Sequence, residues 1–265
     1  MWRKTLCFFS GFGYNKTDMN VLLTNDDGLE SDGILLFAEK LSEKHKVLVV
    51  APASNNSAVS HSLSIFRNIK VEEAFFPAPF RAFRVAGTPA DCVKFAHHNL
   101  SADFPIDLVL SGINKGHNLG TDTLYSGTVS AAFEGAALGY KAIAFSRVNH
   151  EGDDMADCAR IACELAEKLF PLCGEEFIFN VNLPACEGCK ARGIRFVPLG
   201  KQLYSDTFEE VGKGVFALTG EMIDHDGNPR DCDVELSREG YITVTPMIYD
   251  RTAYGMLEKL KGVKL

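Results

Sequence analysis

Residues 21–33 read VLLTNDDGLESDG, an apolar run that ends at Thr24 and is followed at once by Asn25, Asp26, Asp27 and Gly28. Adjacent carboxylates repel and are costly to hold together unless a cation or hydrogen-bond donors offset them. Hard divalent ions such as Mg²⁺ and Mn²⁺ do this, and they take carboxylate, carbonyl, hydroxyl and water oxygens. More such oxygens follow two later apolar runs. KVLVVAP (46–52) leads into ASNNSAVSHSLS, with Ser57 among its hydroxyls. IDLVLSG (106–112) leads into INKGHNLGTDTLYSGTVSAA, which carries Asn114 and Asn118. The last of these loops enters a helical pattern at Ser126, Gly127, Thr128, Val129 and Ser130, where hydroxyls and free backbone N–H groups make a seat for phosphate. Singly, Asp-Asp-Gly reads as a turn and Ser-Gly-Thr as a helix cap. Their coincidence at successive strand ends points instead to a metal beside a phosphate, the apparatus of phosphoryl-oxygen chemistry.

The elements that must bring these loops together alternate from residue 20 onward. NVLLT precedes a helical GILLFAEKLSEK (33–44), whose Ile34, Leu35, Ala38 and Leu41 recur near a 3.6-residue period. KVLVVAP is a continuous apolar run of the kind that parallel sheets bury on both faces. After an insertion come strands at IKVEEA and FRAFRVAG, a helix at TPADCVKFAHHNL with Pro89 near its first turn, and IDLVLSG. VSAAFEGAALGY, KAIAFS, a long helix around MADCARIACELAEKLF and the strand FIFNVNLP complete a βαβ series. The expected fold is therefore α/β, Rossmann-like, with a mostly parallel sheet flanked by helices. Ligands in such sheets collect beyond the carboxyl ends of the strands, near the point where strand order reverses. Asn25, Asp26 and Asp27 are there expected to face a ligand. From about 200 to 233 the chain turns polar and Gly-rich, which reads as a β-hairpin arm suited to subunit exchange or as a surface loop. YITVTP and a helix near 252–263 close the chain.

Composition bounds the rest. The 265 residues, 46 % hydrophobic, are enough for one well-buried α/β domain, expected over 19–265, with residues 1–18 as an appendage. That appendage has basic residues and a short apolar patch but no sustained hydrophobic region or cleavage signal, so export is not expected, and no segment approaches a membrane span. A net charge of −8 argues against polynucleotide partners. Eight cysteines, at 7, 92, 158, 163, 173, 186, 189 and 232, are too dispersed for a disulfide framework and fit a reducing, cytoplasmic setting. Cys186 and Cys189 form a lone C-x-x-C without the second pair that a structural zinc site needs. His97 and His98 read as surface or packing residues, whereas His61 and His117 fall in loops at the edge of the site without being needed as metal ligands. Neither a P-loop nor a nucleophile elbow is present.

TNDDG, VVAPASNNSAVSHSLS, GTPADCV, SGINKGHNLGTDTLYSGTVSAAFEGA and REGYITVTP, in that order and spacing from Met19 to the C-terminus, resemble the SurE family of survival-protein nucleotidases. The resemblance implies a phosphatase that releases phosphate from nucleoside 5′- and 3′-monophosphates with one divalent ion per subunit, Mg²⁺ or Mn²⁺. Carried over by motif, Asp26, Asp27, Ser57 and Asn114 are the metal ligands, and Asn118 with Ser126, Gly127, Thr128 and Ser130 forms the phosphate-contacting loop. Asp26 is then expected to orient the attacking water or act as base, the D-x-D-G-T pattern of aspartyl-phosphate enzymes being absent. The family also implies homodimers or homotetramers with an exchanged C-terminal arm, which agrees with the reading of 200–233. One departure is visible: TPMIYDRT places Ile248 where a His is common. Two alternatives stay open, a broader phosphatase that includes polyphosphate and a nucleotide-sensing protein that binds without hydrolysis.

Overall fold

The computed structural model describes residues 18–148, 154–185, 190–223 and 227–263. The N-terminal appendage up to residue 17 and the Cys186/Cys189 pair lie outside the described residues.

The first half of the chain runs β1 (Asn20–Thr24), α1 (Asp32–Ser42), β2 (Lys46–Pro52), β3 (Val71–Ala74), β4 (Arg81–Val85), α2 (Pro89–Asn99), β5 (Leu108–Lys115), α3 (Gly127–Ala137) and β6 (Lys141–Arg147). The second half runs α4 (Met155–Leu169), β7 (Ile178–Leu183), β8 (Ile194–Phe196), β9 (Leu203–Tyr204), β10 (Thr207–Gly212), β11 (Val215–Thr219), β12 (Met222–Ile223), α5 (Asp233–Arg238), β13 (Ile242–Met247) and α6 (Tyr254–Leu260). Nine strands form one sheet in the order β3-β4-β2-β1-β5-β6-β7-β13-β8. The six central strands from β4 to β7 are mutually parallel, while β3 and β13 run against their neighbours β4 and β7.

Alternation along each strand sorts the core into two layers. Val21, Leu23, Val47, Val49, Leu110, Ile143 and Phe145 pack with α1 and α4, whereas Leu22, Leu48, Val50, Val109, Ala142 and Ala144 pack with α2 and α3. Phe37 of α1 meets Phe145 of β6 edge-on at 5.5 Å between ring centroids, worth about 0.5–1.5 kcal/mol beyond the area buried. α2 begins at a full capping box in which Thr88 and Asp91 satisfy each other's backbone N–H groups, with Pro89 in its first turn.

Two elements depart from the expectations. β8 is three exposed residues whose pairing to β13 comes from tertiary contact, and α5 is a six-residue helix just beyond the polar segment. The segment itself contains the antiparallel pair β10–β11 and the shorter pair β9–β12, with Phe208, Val211, Val215, Phe216 and Leu218 all exposed. The chain passes from β1 outward to β2 and β4, then returns to lay β5, β6 and β7 on the other side of β1. The reversal of strand order therefore lies between β1 and β5, which is where a crevice opens in folds of this kind.

Candidate functional site

Three loops leave the carboxyl ends of β1, β2 and β5 and lie against one another at that reversal. The Asn56 N–H donates to the Asp26 carbonyl at 2.7 Å, tying the loop after β2 to the turn after β1. The Ser60 N–H donates to the Tyr125 carbonyl at 2.9 Å and its hydroxyl to the Leu124 carbonyl at 2.8 Å, tying the same loop to the one after β5. Two glycines permit the approach. A Cβ at Gly33 would stand 2.3 Å from the Ile113 carbonyl oxygen, and one at Gly127 would stand 2.8 Å from the Asp26 Cβ. Any side chain at Gly127 would push the start of α3 off the carboxylate that it holds.

That carboxylate is the centre of the arrangement. Asp26 is only 4 % exposed; its Oδ1 accepts the Thr128 hydroxyl at 2.6 Å and its Oδ2 the Thr128 N–H at 3.1 Å. Burial pushes its pKa up to about 6, against the Thr128 hydrogen bond that lowers it, and the neighbouring Asp27 adds to the rise. Asp27 is less deeply set, and burial also raises its pKa despite the Lys115 N–H donated to Oδ2 at 3.2 Å. Asn55 reaches Asp27 Oδ1 at 3.5 Å through its amide nitrogen and accepts the Ser57 N–H at 2.8 Å through its amide oxygen, so it links Asp27 to Ser57.

The other expected residues divide into those the fold brings to this edge and those it spends elsewhere. Ser57 lies exposed on the loop after β2, and Asn114 is half-buried at the end of β5 with its amide donated to the Gly116 carbonyl. Asn118 is buried in a polar network: its backbone N–H donates to Asn182 Oδ1, its side-chain amide to the Ser146 hydroxyl, and its carbonyl accepts from Asn180 and Asn182. At the start of α3 the Ser126 hydroxyl caps the Val129 N–H and the Ser130 hydroxyl donates back to the Ser126 carbonyl. Thr128 is wholly engaged by Asp26. The helix N-terminus thus already faces one anion, the Asp26 carboxylate, which the helix dipole stabilises.

Asn25 corrects the sequence reading. It does not face a ligand but is fully buried, donating to the Gly28 carbonyl and the Ser31 hydroxyl at 2.9 Å each and accepting the Gly28 N–H. Its side chain closes the turn that aims the next two residues, the ordinary role of Asn at such a turn.

Several supporting residues were not singled out from sequence. Glu134, on α3 and 5 % exposed, pairs with His61 at 2.8 Å and Lys94 at 2.7 Å, and these partners hold its carboxyl below the usual range against the effect of burial. Asp91 accepts the Ser64 N–H at 3.0 Å, so the loop after β2 is clamped to α3 and α2 at two points. Asp233, fully buried on α5, accepts the Gly120 N–H at 2.8 Å and the Gly200 N–H at 2.6 Å, fixing the loop after β5 to the base of the polar segment. Helical spacing places Glu134 on α3, but its burial and its partners come from sequence-distant segments. His97 is half-buried against the Tyr140 hydroxyl and His98 is exposed, while His117 sits 3.5 Å from Asp122.

Residue by residue, the donors at the site fit a divalent ion of the oxygen-seeking class. Among the described residues Asp27 accepts only long contacts, at 3.2 and 3.5 Å, which leaves lone pairs for a cation. Burial disfavours the charged form of both carboxylates, and a bound cation would offset that cost. Neither Cys nor His stands among the expected ligands, in keeping with Mg²⁺ or Mn²⁺ rather than zinc.

Comparison with known proteins places this architecture among relatives. The family model described as survival protein SurE matches residues 21–206. The 5′-nucleotidase SurE of Petrotoga mobilis is 39 % identical over 249 residues, covering 92 % of this chain and 98 % of its own. That of Synechococcus elongatus is 40 % identical over 254 residues, covering 91 % and 98 %. The crystal structure of the SurE protein from Aquifex aeolicus superposes with a TM-score of 0.76 at 34 % identity, covering 91 % of this chain and 98 % of that one.

Proposed function

The chain belongs to the SurE family of survival proteins, and from that premise we propose that it hydrolyses nucleoside monophosphates to nucleoside and phosphate at the Asp26–Asp27 edge. It is a 5′-nucleotidase, a phosphoric monoester hydrolase that depends on a divalent metal. The observation that carries the site is the buried Asp26 carboxylate clamped to the first turn of α3 beside Asp27, where three strand-end loops converge. Finer parts of the reading are the use of 3′- as well as 5′-monophosphates, Mg²⁺ or Mn²⁺ as the ion, a cytoplasmic location and a homo-oligomer built through the arm at 200–233.

Asp26, Asp27, Ser57 and Asn114 would hold the ion, which when bound supplies Lewis-acid polarisation of the phosphate and activation of water. The chain's own groups do the remaining work. The backbone N–H of Gly127 and the Ser126 hydroxyl proton are left to donate to phosphate oxygens, and one proton of the Asn118 amide joins them. Donors fixed in this way by a helix N-terminus stabilise charge on a transferring phosphoryl group without reorganising. Thr128 and Ser130 act one step back: Thr128 keeps Asp26 charged and aimed, and Ser130 fixes the cap on which Ser126 sits. Asp26, fixed by Thr128 at the edge of the site, is placed to orient the attacking water or take its proton.

Phosphate release from a panel of nucleoside 5′- and 3′-monophosphates, ribose 5-phosphate and polyphosphate, with EDTA, Mg²⁺ or Mn²⁺, tests the reading. Metal-dependent release from nucleoside monophosphates that Asp27→Asn abolishes supports it. Nucleotide binding with no release under any metal would replace it by a sensing role, and equal rates on polyphosphate would broaden the substrate class.

A further inference from the structure

Opposite the Asp26–Asp27 edge, at the amino ends of the parallel strands, lies a cluster that the phosphatase reading does not use. His45 closes the turn between α1 and β2, and the bond from the Lys46 N–H to the Met19 carbonyl sets it level with the start of β1. Strand rise puts that level roughly 20 Å from Asp26. Cys163 and Glu167 stand one turn apart on α4, and one ligand atom from each of His45, Cys163 and Glu167 lies within 4.8 Å of the others. The His45 Nε2 is 3.5 Å from Glu167 Oε1, and the Cys163 Sγ is 3.8 Å from the same oxygen. The His45 side chain is 3 % exposed, and its Nε2 has no hydrogen-bond partner among the described residues. Buried polar atoms are ordinarily hydrogen-bonded, and this one has only the 3.5 Å approach to Glu167, beside the Cys163 thiol.

We propose that His45, Cys163 and Glu167 form a binding site for a zinc-class divalent ion, separate from the oxygen site at Asp26 and Asp27. One imidazole nitrogen, one sulfur and one carboxylate oxygen make a borderline-soft donor set that zinc accepts and Mg²⁺ does not. Three protein ligands leave a fourth tetrahedral position for water. On binding, the Cys163 thiol proton leaves to solvent and the thiolate takes its place on the ion. The imidazole proton moves from Nε2 to Nδ1, giving up only a long 3.4 Å contact from the Met19 N–H. Lys44 now neutralises Glu167, at 2.9 and 3.2 Å from its two oxygens, but its side chain is 57 % exposed and is free to swing into water. The ion would join the turn after α1 to α4, the two helices that pack together on that face.

The test uses the full chain carrying Cys186→Ser and Cys189→Ser, which removes the separate C-x-x-C pair, titrated with Co²⁺ and then Zn²⁺. About one equivalent of Co²⁺ should produce thiolate-to-cobalt charge-transfer absorption, and the same band should appear when Asp27→Asn is added. Cys163→Ala should abolish the band, and His45→Gln or Glu167→Gln should weaken Zn²⁺ binding by at least about tenfold. Lys44→Ala should tighten it by freeing Glu167. Melting curves of the metal-free variants separate loss of ligation from loss of fold; should Cys163→Ala not fold, Glu167→Gln and Lys44→Ala, both changed at exposed or half-exposed side chains, carry the test. A band that survives Cys163→Ala, the absence of any band in the parent, its loss with Asp27→Asn, or weaker binding in Lys44→Ala would overturn the proposal.

Discussion

The edge that carries Asp26 and the segment at 203–223 are built on opposite terms. At the edge, polar groups are buried and answered within the chain: Asp26 by Thr128, Asn25 by its own turn, Glu134 by His61 and Lys94, Asp233 by two backbone N–H groups. In the segment, apolar side chains point into water. Phe208, Val211, Val215, Phe216 and Leu218 are all exposed on a two-stranded hairpin, and an isolated hairpin is only marginally stable. Exposed apolar side chains grouped on one hairpin are what a subunit contact would cover, as proposed for the arm. The comparison teaches that the chain answers the polar groups of the edge itself while leaving the hairpin's apolar side chains uncovered, so substitutions in the two regions should be read out separately, in activity and in assembly.

The largest expected effect is on the polar side of that contrast. Asp27→Asn should lower metal-dependent phosphate release by more than about a hundredfold, beyond the 10–100-fold typical of residues that only support a ligand. Light scattering should show its assembly unchanged. Conversely, Phe208→Asp with Phe216→Asp should reduce the mass measured by light scattering to that of a smaller species. An unaltered mass would mean that the hairpin is not a subunit contact, and the contrast between the two regions would collapse.

Asp26 offers a sharper form of the same comparison. Its pKa in the folded chain, about 6, lies above the ordinary value of 3.8, so the fold disfavours the charged form. The resulting stability penalty is fully present above pH 6 and is lost as pH falls toward 4. In EDTA, Asp26→Asn should therefore melt at a higher temperature than the wild type at pH 8, with the gap closing as pH is lowered through 6. Saturating divalent ion should narrow the gap at pH 8, because only the wild type keeps both carboxylate ligands. A gap independent of pH would show that Asp26 carries no such penalty.

A smaller effect is expected at the clamp. His61→Ala removes one of two partners from the buried Glu134 while Lys94 remains, at a cost of about 1 kcal/mol. The loop bearing Ser57 should loosen, and the divalent-ion concentration for half-maximal activity should rise with little change at saturation. Smallest of all is Ile248→His. β13 runs against β7, with Met247 paired to Ile178 at the amino end of the parallel strands. Residue 248 thus follows the strand out at the edge away from Asp26 of its own chain, and restoring His there should change phosphate release by less than about twofold. A larger gain would indicate that the residue acts on the site of another subunit.

Much of this was legible in one dimension because the relevant physics is local. Continuous apolar runs such as KVLVVAP can be buried only in a sheet covered on both faces, and the polar residues that end them must then gather at one edge. Asp26 and Asp27 were accordingly placed by where VLLT stops. The roles of the residues that support them were not legible, Thr128 reading from sequence as a phosphate contact and Glu134 as one more helix residue, since their partners are distant in sequence. Thr128 is 102 residues from the Asp26 it holds, and Glu134 is 73 from His61. Asn25 was misread for a related reason, because a turn former and a ligand look alike until burial separates them. Likewise β8 exists only because β13 offers it an edge, and His45 meets Cys163 and Glu167 only because α1 and α4 pack on the same face of the sheet. The sequence by itself determined the layers, the edge at which the candidate ligands gather and the donor types found there. The tertiary structure alone decided which of those polar groups are spent on the fold and which are left free, because hydrogen-bond satisfaction and desolvation depend on neighbours that the order of residues does not specify.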